Sequence, residues 1–450
     1  MSENEEVLEE AIAEANPEQG TEPEVAVEPA PEPEAGSEDG EGSESPAGDV
    51  DAAEGDAPNA TPASPHGAIK RGSMTKRDLP PRPAPDPVMR QSLSCQGGQC
   101  NLRIGPGALE SLGREVKAMA GKPRLAFLIL SDAVRPKLAK RLRMQLADGE
   151  FAVIESEVEA GPAARDFAQV SKLYKRLAKK GITADDVIVA VGDPDVLSLA
   201  SFVATTWCGG TALVMVATDA LACLEPAVTP RSLDVKGLEG AVRVKGHPKM
   251  LFCDFDEFDP TSGEAAMMVR AMSVGTAMAD NQNSFNRLAG RAEAIADGDV
   301  AETRTQMLDC IRSRARMASS AAAAVRQGLG YGKELAGVLA RHLPDASPAE
   351  LLAEGMRFGC RLAISIEESV DVDMVFAQDA LLARLGLNEV PCDLDPEQIA
   401  VELREECFRR SNRFLLTIPL GFGKVRMTSV PEDVLADHLA AFCTARRALL

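Results

Sequence analysis

The sequence predicts two structured parts, an α/β part over residues 102–260 and an all-α part over residues 261–450. In the first part, short apolar runs alternate with amphipathic segments, which is typical of βαβ units and of a parallel sheet buried on both faces. In the second part, apolar residues recur with helical spacing almost throughout. Residues 1–101 show neither pattern, so we expect the folded protein to begin near Leu102.

The α/β part divides into strands and helices at its apolar runs. After a short strand at Leu102 and a turn at Gly105-Pro106-Gly107, the pattern predicts a helix over 108–120. Further strands are predicted at 124–130, 151–157, 187–191, 212–216 and 250–254, and helices at 133–147, 165–180 and 200–207. Parallel sheets bind ligands beyond the carboxyl ends of their strands. The loops at 131–132, 161–165, 192–194 and 217–219 are therefore predicted to form the ligand site.

The second part reads as a series of helices, predicted at 264–278, 302–326, 334–342, 348–366 and 396–410. Ser347-Pro348-Ala349-Glu350 has the spacing of a capping box with proline at the first helical position. A short antiparallel pair at 413–418 and 424–428 precedes a final helix from Pro431. The Ala-rich stretch at 318–325 predicts a helix that packs closely, either within the chain or against a partner.

The first 69 residues contain 20 acidic side chains and no Lys or Arg, whereas the remaining 49 acidic and 48 basic side chains nearly cancel. Such a segment has too little apolar surface to offset the entropy of ordering, so residues 1–69 are predicted to be a disordered acidic tail. It either solubilises and spaces the protein or docks on a basic protein partner. Residues 70–101 are predicted to be a basic, Pro-rich linker.

Several classes of partner and location are disfavoured by composition. No aromatic residues are interleaved with the basic residues of the linker, so nucleic-acid binding is not expected. The chain begins without a signal-peptide pattern and has no apolar run of roughly 18 residues, so we expect no membrane contact. The ten cysteines form no disulfide framework, which predicts a cytoplasmic location.

The cysteines are predicted to be mostly small buried hydrophobic residues. Cys95 and Cys100 flank Gln-Gly-Gly-Gln in the linker, and without a second pair or nearby histidines they are expected to be exposed thiols rather than zinc ligands. The other cysteines considered lie in apolar runs and are expected to be buried: Cys208, Cys223, Cys253, Cys310 and Cys360.

Five stretches of the chain resemble the 3-dehydroquinate synthase family. They are Arg-Ile-Gly-Pro-Gly at 103–107 with Leu-Gly at 112–113, Ser-Asp at 131–132, Ala-Gly-Pro-Ala-Ala-Arg at 160–165, Leu-Ala-Ser-Phe-Val-Ala-Thr-Thr-Trp-Cys-Gly-Gly at 199–210, and the segment 216–232. The resemblance runs from about 102 to 449 and is stronger before 260. It implies a dehydroquinate synthase-like fold with an N-terminal Rossmann-like parallel sheet and a C-terminal helical domain, a shikimate-pathway lyase activity, NAD and zinc as cofactors, and a homodimer.

The resemblance assigns cofactor and catalytic positions that this chain largely replaces. The family's triple glycine becomes Gly192-Asp193-Pro194, in which proline removes an amide donor and aspartate places negative charge beside a phosphate. The remaining candidates for cofactor binding are Asp132, Arg165, Gly192 and Thr218, and the candidates for catalysis are Glu225 and Arg231. Asp132 corresponds to the ribose-binding aspartate of the family, although an aspartate after a strand is also common in ordinary loops. A family lysine becomes Glu239.

The metal site implied by the resemblance has no ligands in this sequence. The family's metal-binding glutamate falls near Arg270 or Ala271. One of its two histidines falls at Leu329, with a neighbouring position of the family at Lys333, and the other histidine falls at Pro348. The four histidines of the chain lie elsewhere, and we expect no carboxylate cluster at the cleft. We therefore expect neither metal nor cofactor.

Three interpretations follow from these replacements. The chain is an inactive homologue that acts as a scaffold or regulatory partner, a divergent enzyme that binds an anionic ligand through Arg165, Arg231 and Asp132, or a residual 3-dehydroquinate synthase. Loss of the phosphate loop together with the metal ligands favours the first interpretation.

Overall fold

The computed structural model describes residues 87–122, 124–236, 238–408 and 411–450, without the side chain of Glu239. The predicted acidic tail at 1–69 and the linker as far as residue 86 lie outside the described residues. Within the described residues, no helix combines the length and the apolar character needed to cross a bilayer.

A seven-stranded sheet forms the centre of the α/β part, with the strand order β1-β2-β9-β6-β5-β3-β4. Its strands are β1 Met89–Cys95, β2 Gly98–Gly105, β3 Leu125–Ser131, β4 Ala152–Val158, β5 Val187–Gly192, β6 Ala212–Ala217 and β9 Met250–Asp254. All neighbouring strands are parallel except β1 and β2, which form an antiparallel hairpin. Helices cover both faces, and β5 is buried along its whole length.

The β1–β2 hairpin corrects the sequence interpretation of residues 89–101, which were expected to belong to the linker. Leu93 and Cys95 point into the core while their neighbours are exposed, which is the alternation of an edge strand. Cys95 and Cys100 are both buried, so the expectation of two exposed thiols was wrong. All ten cysteines are free thiols, and Cys208, expected to be buried, is exposed.

The helices of the α/β part are α1 Leu112–Ala120, α2 Pro136–Asp148, α3 Phe167–Lys180, α4 Pro194–Thr206 and α5 Ala220–Leu224. A short hairpin that the sequence analysis did not predict follows α5, formed by β7 Leu233–Val235 and β8 Leu238–Val242. Helix α4 begins six residues before the predicted start at 200, because Asp193 caps it and Pro194 occupies its first position.

The helical part comprises α6 Gly263–Asp280, α7 Gln282–Ala296, α8 Val300–Ser319, α9 Ala323–Gln327, α10 Lys333–His342, α11 Pro348–Ile366, α12 Val372–Arg384, α13 Pro396–Phe408 and α14 Glu432–Arg447. An antiparallel pair, β10 Leu415–Pro419 and β11 Val425–Ser429, precedes α14. The predicted helix 302–326 is interrupted at residues 320–322. Helix α8 ends at Ser319, and the backbone is extended at Ser320 and Ala322 before α9 starts. Helices α7 and α12 were not predicted.

Two clusters of buried side chains lie on opposite faces of the sheet. The smaller cluster packs α1 and α2 against one face of the sheet. The larger one runs without interruption from Leu93 in β1 to Cys443 in α14 and so joins the α/β part to the helical part. The described residues from 87 onward accordingly form one compact unit.

Candidate functional site

A cleft of about 440 Å³ lies beyond the carboxyl ends of β3, β5, β6 and β9, where the sequence placed the ligand site. Four carboxylates line this cleft: Asp193, Asp195, Asp219 and Glu257. The expectation of no carboxylate cluster at the cleft was therefore wrong. Every one of these carboxylates accepts hydrogen bonds from the protein itself, so their partners determine what the cleft can bind.

The Asp193 carboxylate occupies the N-terminus of α4. Its Oδ1 accepts from the backbone N–H groups of Asp195 at 2.8 Å and Val196 at 3.2 Å, and its Oδ2 accepts from the N–H of Gly161 at 3.1 Å. Free N–H groups at a helix N-terminus are the donors that hold a phosphate in α/β folds. Here a side chain of the same helix uses them, and Pro194 has no N–H to add.

The structure places the other predicted cofactor positions in structural contacts. Asp132 is exposed and accepts a hydrogen bond from the N–H of Ala160 at 2.9 Å. Thr218 lines the cleft, and its N–H donates to the carbonyl of Gly192 at 3.2 Å. Gly192 is required sterically, because a Cβ there would lie 2.9 Å from the Cβ of Ser131.

The two arginines predicted at the site are joined through one buried aspartate. Arg231 Nη1 lies 2.9 Å from each oxygen of the Asp195 carboxylate, a bifurcated charge-assisted contact. Arg165 pairs with Asp195 at 3.2 Å and with Asp234 at 3.6 Å. Asp195 is 4% exposed. Both cations that the sequence offered for an anionic ligand are thus paired with carboxylates of the chain.

Glu225 is the centre of a second charged group, 5% exposed and in contact with three cations. Its carboxylate lies 2.6 Å from the Lys333 ammonium, 3.0 Å from Arg231 Nε and 3.8 Å from Arg314. Burial raises the pKa of Glu225, but the attraction of Lys333, Arg231 and Arg314 outweighs burial and holds that pKa well below its usual range. Burial lowers the pKa of Arg231, and Glu225 and Asp195 more than reverse this effect. Both shifts favour the charged forms of Glu225 and Arg231.

The positions that the resemblance assigned to a metal carry no ligands in the structure. Arg270 donates to the carbonyls of Leu385, Ile295 and Ala296, away from any cleft. Pro348 starts α11 beside its capping residue Ser347, which confirms the predicted capping box. Leu329 and Lys333 line a space of only about 10 Å³, barely enough for one water molecule.

No group of three or more His, Cys, Asp or Glu side chains among the described residues is arranged to hold a metal ion. His342 contacts Glu402 at 2.9 Å and His438 contacts Ser365 at 2.7 Å, so both side chains have other partners. The donor set at this site does not fit a zinc ion. The donor set at α4 does not fit a dinucleotide pyrophosphate, because its amides already hold the Asp193 carboxylate.

Sequence reasoning missed Asp195, Asp234 and Arg314. Asp195 stands in Gly-Asp-Pro-Asp directly after a strand, and this acidic start of a buried helix was the available signal. Arg314 is only 3% exposed on a long helix. Its neighbours in the sequence are Ser313 and Ala315, with arginines beyond both, so nothing in the sequence marks this arginine as the buried one.

Comparisons with known proteins relate the chain to one family of synthases. Residues 155–262 match the family model described as 3-dehydroquinate synthase N-terminal. The 3-dehydroquinate synthase of Streptococcus thermophilus is 31% identical over 140 residues, which is 31% of this chain and 39% of that enzyme. The chain thus spans about two fifths of that relative. The 3-dehydroquinate synthase of a Thermoanaerobacter species is 22% identical over 336 residues, covering 72% of this chain and 92% of the relative.

Two solved structures share the fold. The chain matches 2-deoxy-scyllo-inosose synthase, complexed with carbaglucose-6-phosphate, NAD+ and Co2+, with a TM-score of 0.66 at 16% identity, covering 78% of this chain and 99% of that one. It matches 2-epi-5-epi-valiolone synthase from Streptomyces hygroscopicus, with NAD+ and Zn2+ bound, with a TM-score of 0.63 at 11% identity over 77% and 97% of the chains. The chain therefore has the fold of these synthases, and its residues 155–262 are similar in sequence to the 3-dehydroquinate synthase family.

Proposed function

We propose that this protein is a catalytically inactive member of its family that acts as a scaffold or regulatory partner. The observation that carries the proposal is the Asp193 carboxylate on the first amides of α4. A pyrophosphate would have to displace this carboxylate and then remain beside its negative charge. The proposal does not depend on the weaker alignment after residue 260, because α4 lies inside the matched range 155–262.

The second support is the replacement of metal ligands by groups that cannot bind a metal. The resemblance places metal-binding histidines at Leu329 and Pro348 and a neighbouring position at Lys333. The space that Leu329 and Lys333 line is about 10 Å³. Without a metal, the Lewis-acid step on which such a lyase depends has no source. The occupied amides of α4 and the replaced metal ligands therefore both favour a protein that binds partners but catalyses no reaction.

The alternative of a divergent enzyme requires free cations in the cleft. Arg165 and Arg231 would have to exchange Asp195 for a ligand anion, and Asp195 is buried and would then keep an unpaired charge. This cost makes the enzymatic alternative the less favourable one.

The test is calorimetric titration of the full chain with NAD and, separately, with Zn²⁺. A ligand present at a hundred times its Kd stabilises a protein by about 2.7 kcal/mol, so thermal unfolding gives an independent reading. We expect no binding heat and no thermal shift, while the Streptococcus thermophilus relative gives both. Micromolar NAD binding, or formation of 3-dehydroquinate by this chain, would overturn the proposal.

A pair of variants isolates the role of the helix N-terminus. Replacing Asp193 and Pro194 together by glycine frees the amides of α4, and we expect weak NAD binding to appear. The matched control is Asp219→Gly, which removes a capping carboxylate from the same cleft but leaves α4 unchanged. Equal gains in both variants would mean that charge in the cleft, rather than occupation of the amides, excludes NAD.

The resemblance also implies a homodimer, and the composition of residues 1–69 suggests that this segment binds a basic protein. We propose that an inactive member of the family acts through dimerisation and through binding of a basic protein by this segment. Sedimentation of the full chain tests the dimer, and the monomer mass at micromolar concentration would contradict it.

A further inference from the structure

The Glu225 network connects the α/β part and the helical part of the molecule. Glu225 and Arg231 belong to the segment that follows α5 in the α/β part, whereas Arg314 lies in α8 and Lys333 begins α10 in the helical part. The shortest contact in the network, 2.6 Å between Lys333 Nζ and Glu225 Oε1, is one of those that cross between the two parts. One buried carboxylate therefore has cationic partners on both sides.

Arg314 adds neutral hydrogen bonds to the same connection. Its Nε donates to the carbonyl of Leu224 at 3.1 Å, and its η2 nitrogen donates to Thr229 Oγ1 at 2.8 Å. The segment around Glu225 is thus held by α8 through its backbone as well as through its charge. Because Arg314 is 3% exposed, water cannot replace these partners without opening the structure.

Shifting one part against the other while their boundary stays packed would leave charges of both signs buried without partners. Glu225 would lose two of its three cations, and Arg314 would lose its two hydrogen-bond acceptors along with the carboxylate. A charge that loses its partner and remains buried is strongly unfavourable. The network therefore opposes sliding or rotation of one part against the other.

We propose that the Glu225 network fixes the α/β part and the helical part in one relative orientation, so that neither part slides or rotates against the other. The network then acts as a permanent connection that needs no ligand. This inference does not require that the protein be inactive, because it concerns only the arrangement of its two parts.

Hydrogen–deuterium exchange of the full chain tests the connection in Glu225→Gln and Lys333→Met variants. We expect the amides around 224–231 and those around 314–333 to exchange at least tenfold faster than in the wild type, and both stretches to change together. A network that only stabilised its own loop would raise exchange at 224–231 alone, and that result would overturn the proposal. If Glu225→Gln does not fold, Lys333→Met still tests the proposal, because in this variant Glu225 retains Arg231 and Arg314 as partners.

The matched control is Glu150→Gln, which breaks an ion pair with Lys117 of the same 2.6 Å length on the surface. Its carboxyl side chain is 68% exposed, whereas that of Glu225 is 7% exposed. We expect exchange in the control to match the wild type at 224–231 and 314–333. Unchanged exchange at these stretches in both Glu225→Gln and Lys333→Met would also overturn the proposal.

Discussion

Two glutamates near Lys333 have opposite electrostatic environments, although both are removed from bulk water. Three cations hold the pKa of Glu225 down against the effect of burial. Glu334, the next residue after Lys333, accepts a hydrogen bond from Thr417 Oγ1 and lacks such a cluster. Burial raises the pKa of Glu334 to about 7, with the Thr417 hydrogen bond acting in the other direction. Residue type alone therefore does not predict the ionisation of these carboxyls.

The raised pKa of Glu334 predicts a pH-dependent stability. Because the folded-state value of about 7 exceeds the ordinary 4.5, the contribution of the protonated carboxyl is complete below about pH 4.5 and is lost as pH rises through 7. Between pH 5 and 8, we expect the free energy of unfolding of the wild type to fall by about 2 kcal/mol more than that of Glu334→Gln. Urea unfolding at both pH values measures this difference. Parallel pH profiles for the two proteins would refute it.

Buried carboxylates also stabilise the helical part through direct ion pairs. Glu354, which is 1% exposed in α11, pairs with Arg446 of α14 at 2.7 Å and accepts the N–H of Val390 at 2.8 Å. We expect Glu354→Gln to lower the free energy of unfolding by about 3–5 kcal/mol, because it leaves Arg446 buried with reduced compensation.

The neighbouring arginine supplies the control for this substitution. Arg447 pairs with Asp393 at 2.5 Å, but the two side chains are 55% and 61% exposed. We expect Asp393→Asn to cost less than about 1 kcal/mol in the same denaturation experiment, because solvent screens the pair. Similar losses for Glu354→Gln and Asp393→Asn would show that burial does not set the energy of these pairs.

At the scale of elements, the sequence predicted the parallel strands well because a strand buried on both faces must be apolar throughout. The predicted strand at 250–254 is β9 Met250–Asp254, and the predicted 187–191 differs from β5 by one residue. The hairpin of β1 and β2 was missed because only alternate residues of an edge strand are buried. The Ala-rich stretch was misread because alanine favours helix locally, whereas the chain turns at Ser320.

The candidate site was predictable in position but not in its pairings. The strand ends placed Gly192, Thr218 and Arg165 at one edge of the sheet, and Thr218 does line the cleft there. The contact between Arg231 and Asp195 joins residues 36 positions apart, which residue spacing does not reveal. Pairing between the α/β part and the helical part, as between Glu225 and Lys333, depends on tertiary structure to an even greater degree.

The start of α11 gives a prediction for a single element. Ser347 Oγ accepts the N–H groups of Ala349 at 3.2 Å and Glu350 at 3.4 Å, and Glu350 Oε2 accepts the N–H of Ser347 at 3.2 Å. We expect Ser347→Ala to lower the free energy of unfolding by about 1 kcal/mol. Ser347→Asp is expected to retain most of the stabilisation by the cap, because its carboxylate can accept the same N–H groups. Chemical denaturation of the three proteins distinguishes these outcomes. Equal stability of the Ala and Asp variants would show that the cap contributes nothing.

At the scale of the whole molecule, the division into an α/β part and a helical part is a division of secondary structure rather than of the core. The larger core cluster contains Leu93 of the sheet and Cys443 of the last helix without a break. The Glu225 network adds charged contacts along the same boundary. Residues held by one continuous core cannot expose half of it without losing the packing of the other half.

This continuity predicts that the folded part unfolds as one cooperative unit. Scanning calorimetry of the full chain is expected to show a single transition whose calorimetric enthalpy equals its van't Hoff enthalpy. Weakening the boundary should separate the two parts, so Glu225→Gln is expected to broaden the transition, whereas Glu150→Gln leaves its width unchanged. Two resolved transitions in the wild type would contradict this prediction. They would show that the α/β part and the helical part unfold separately although they share the larger core cluster.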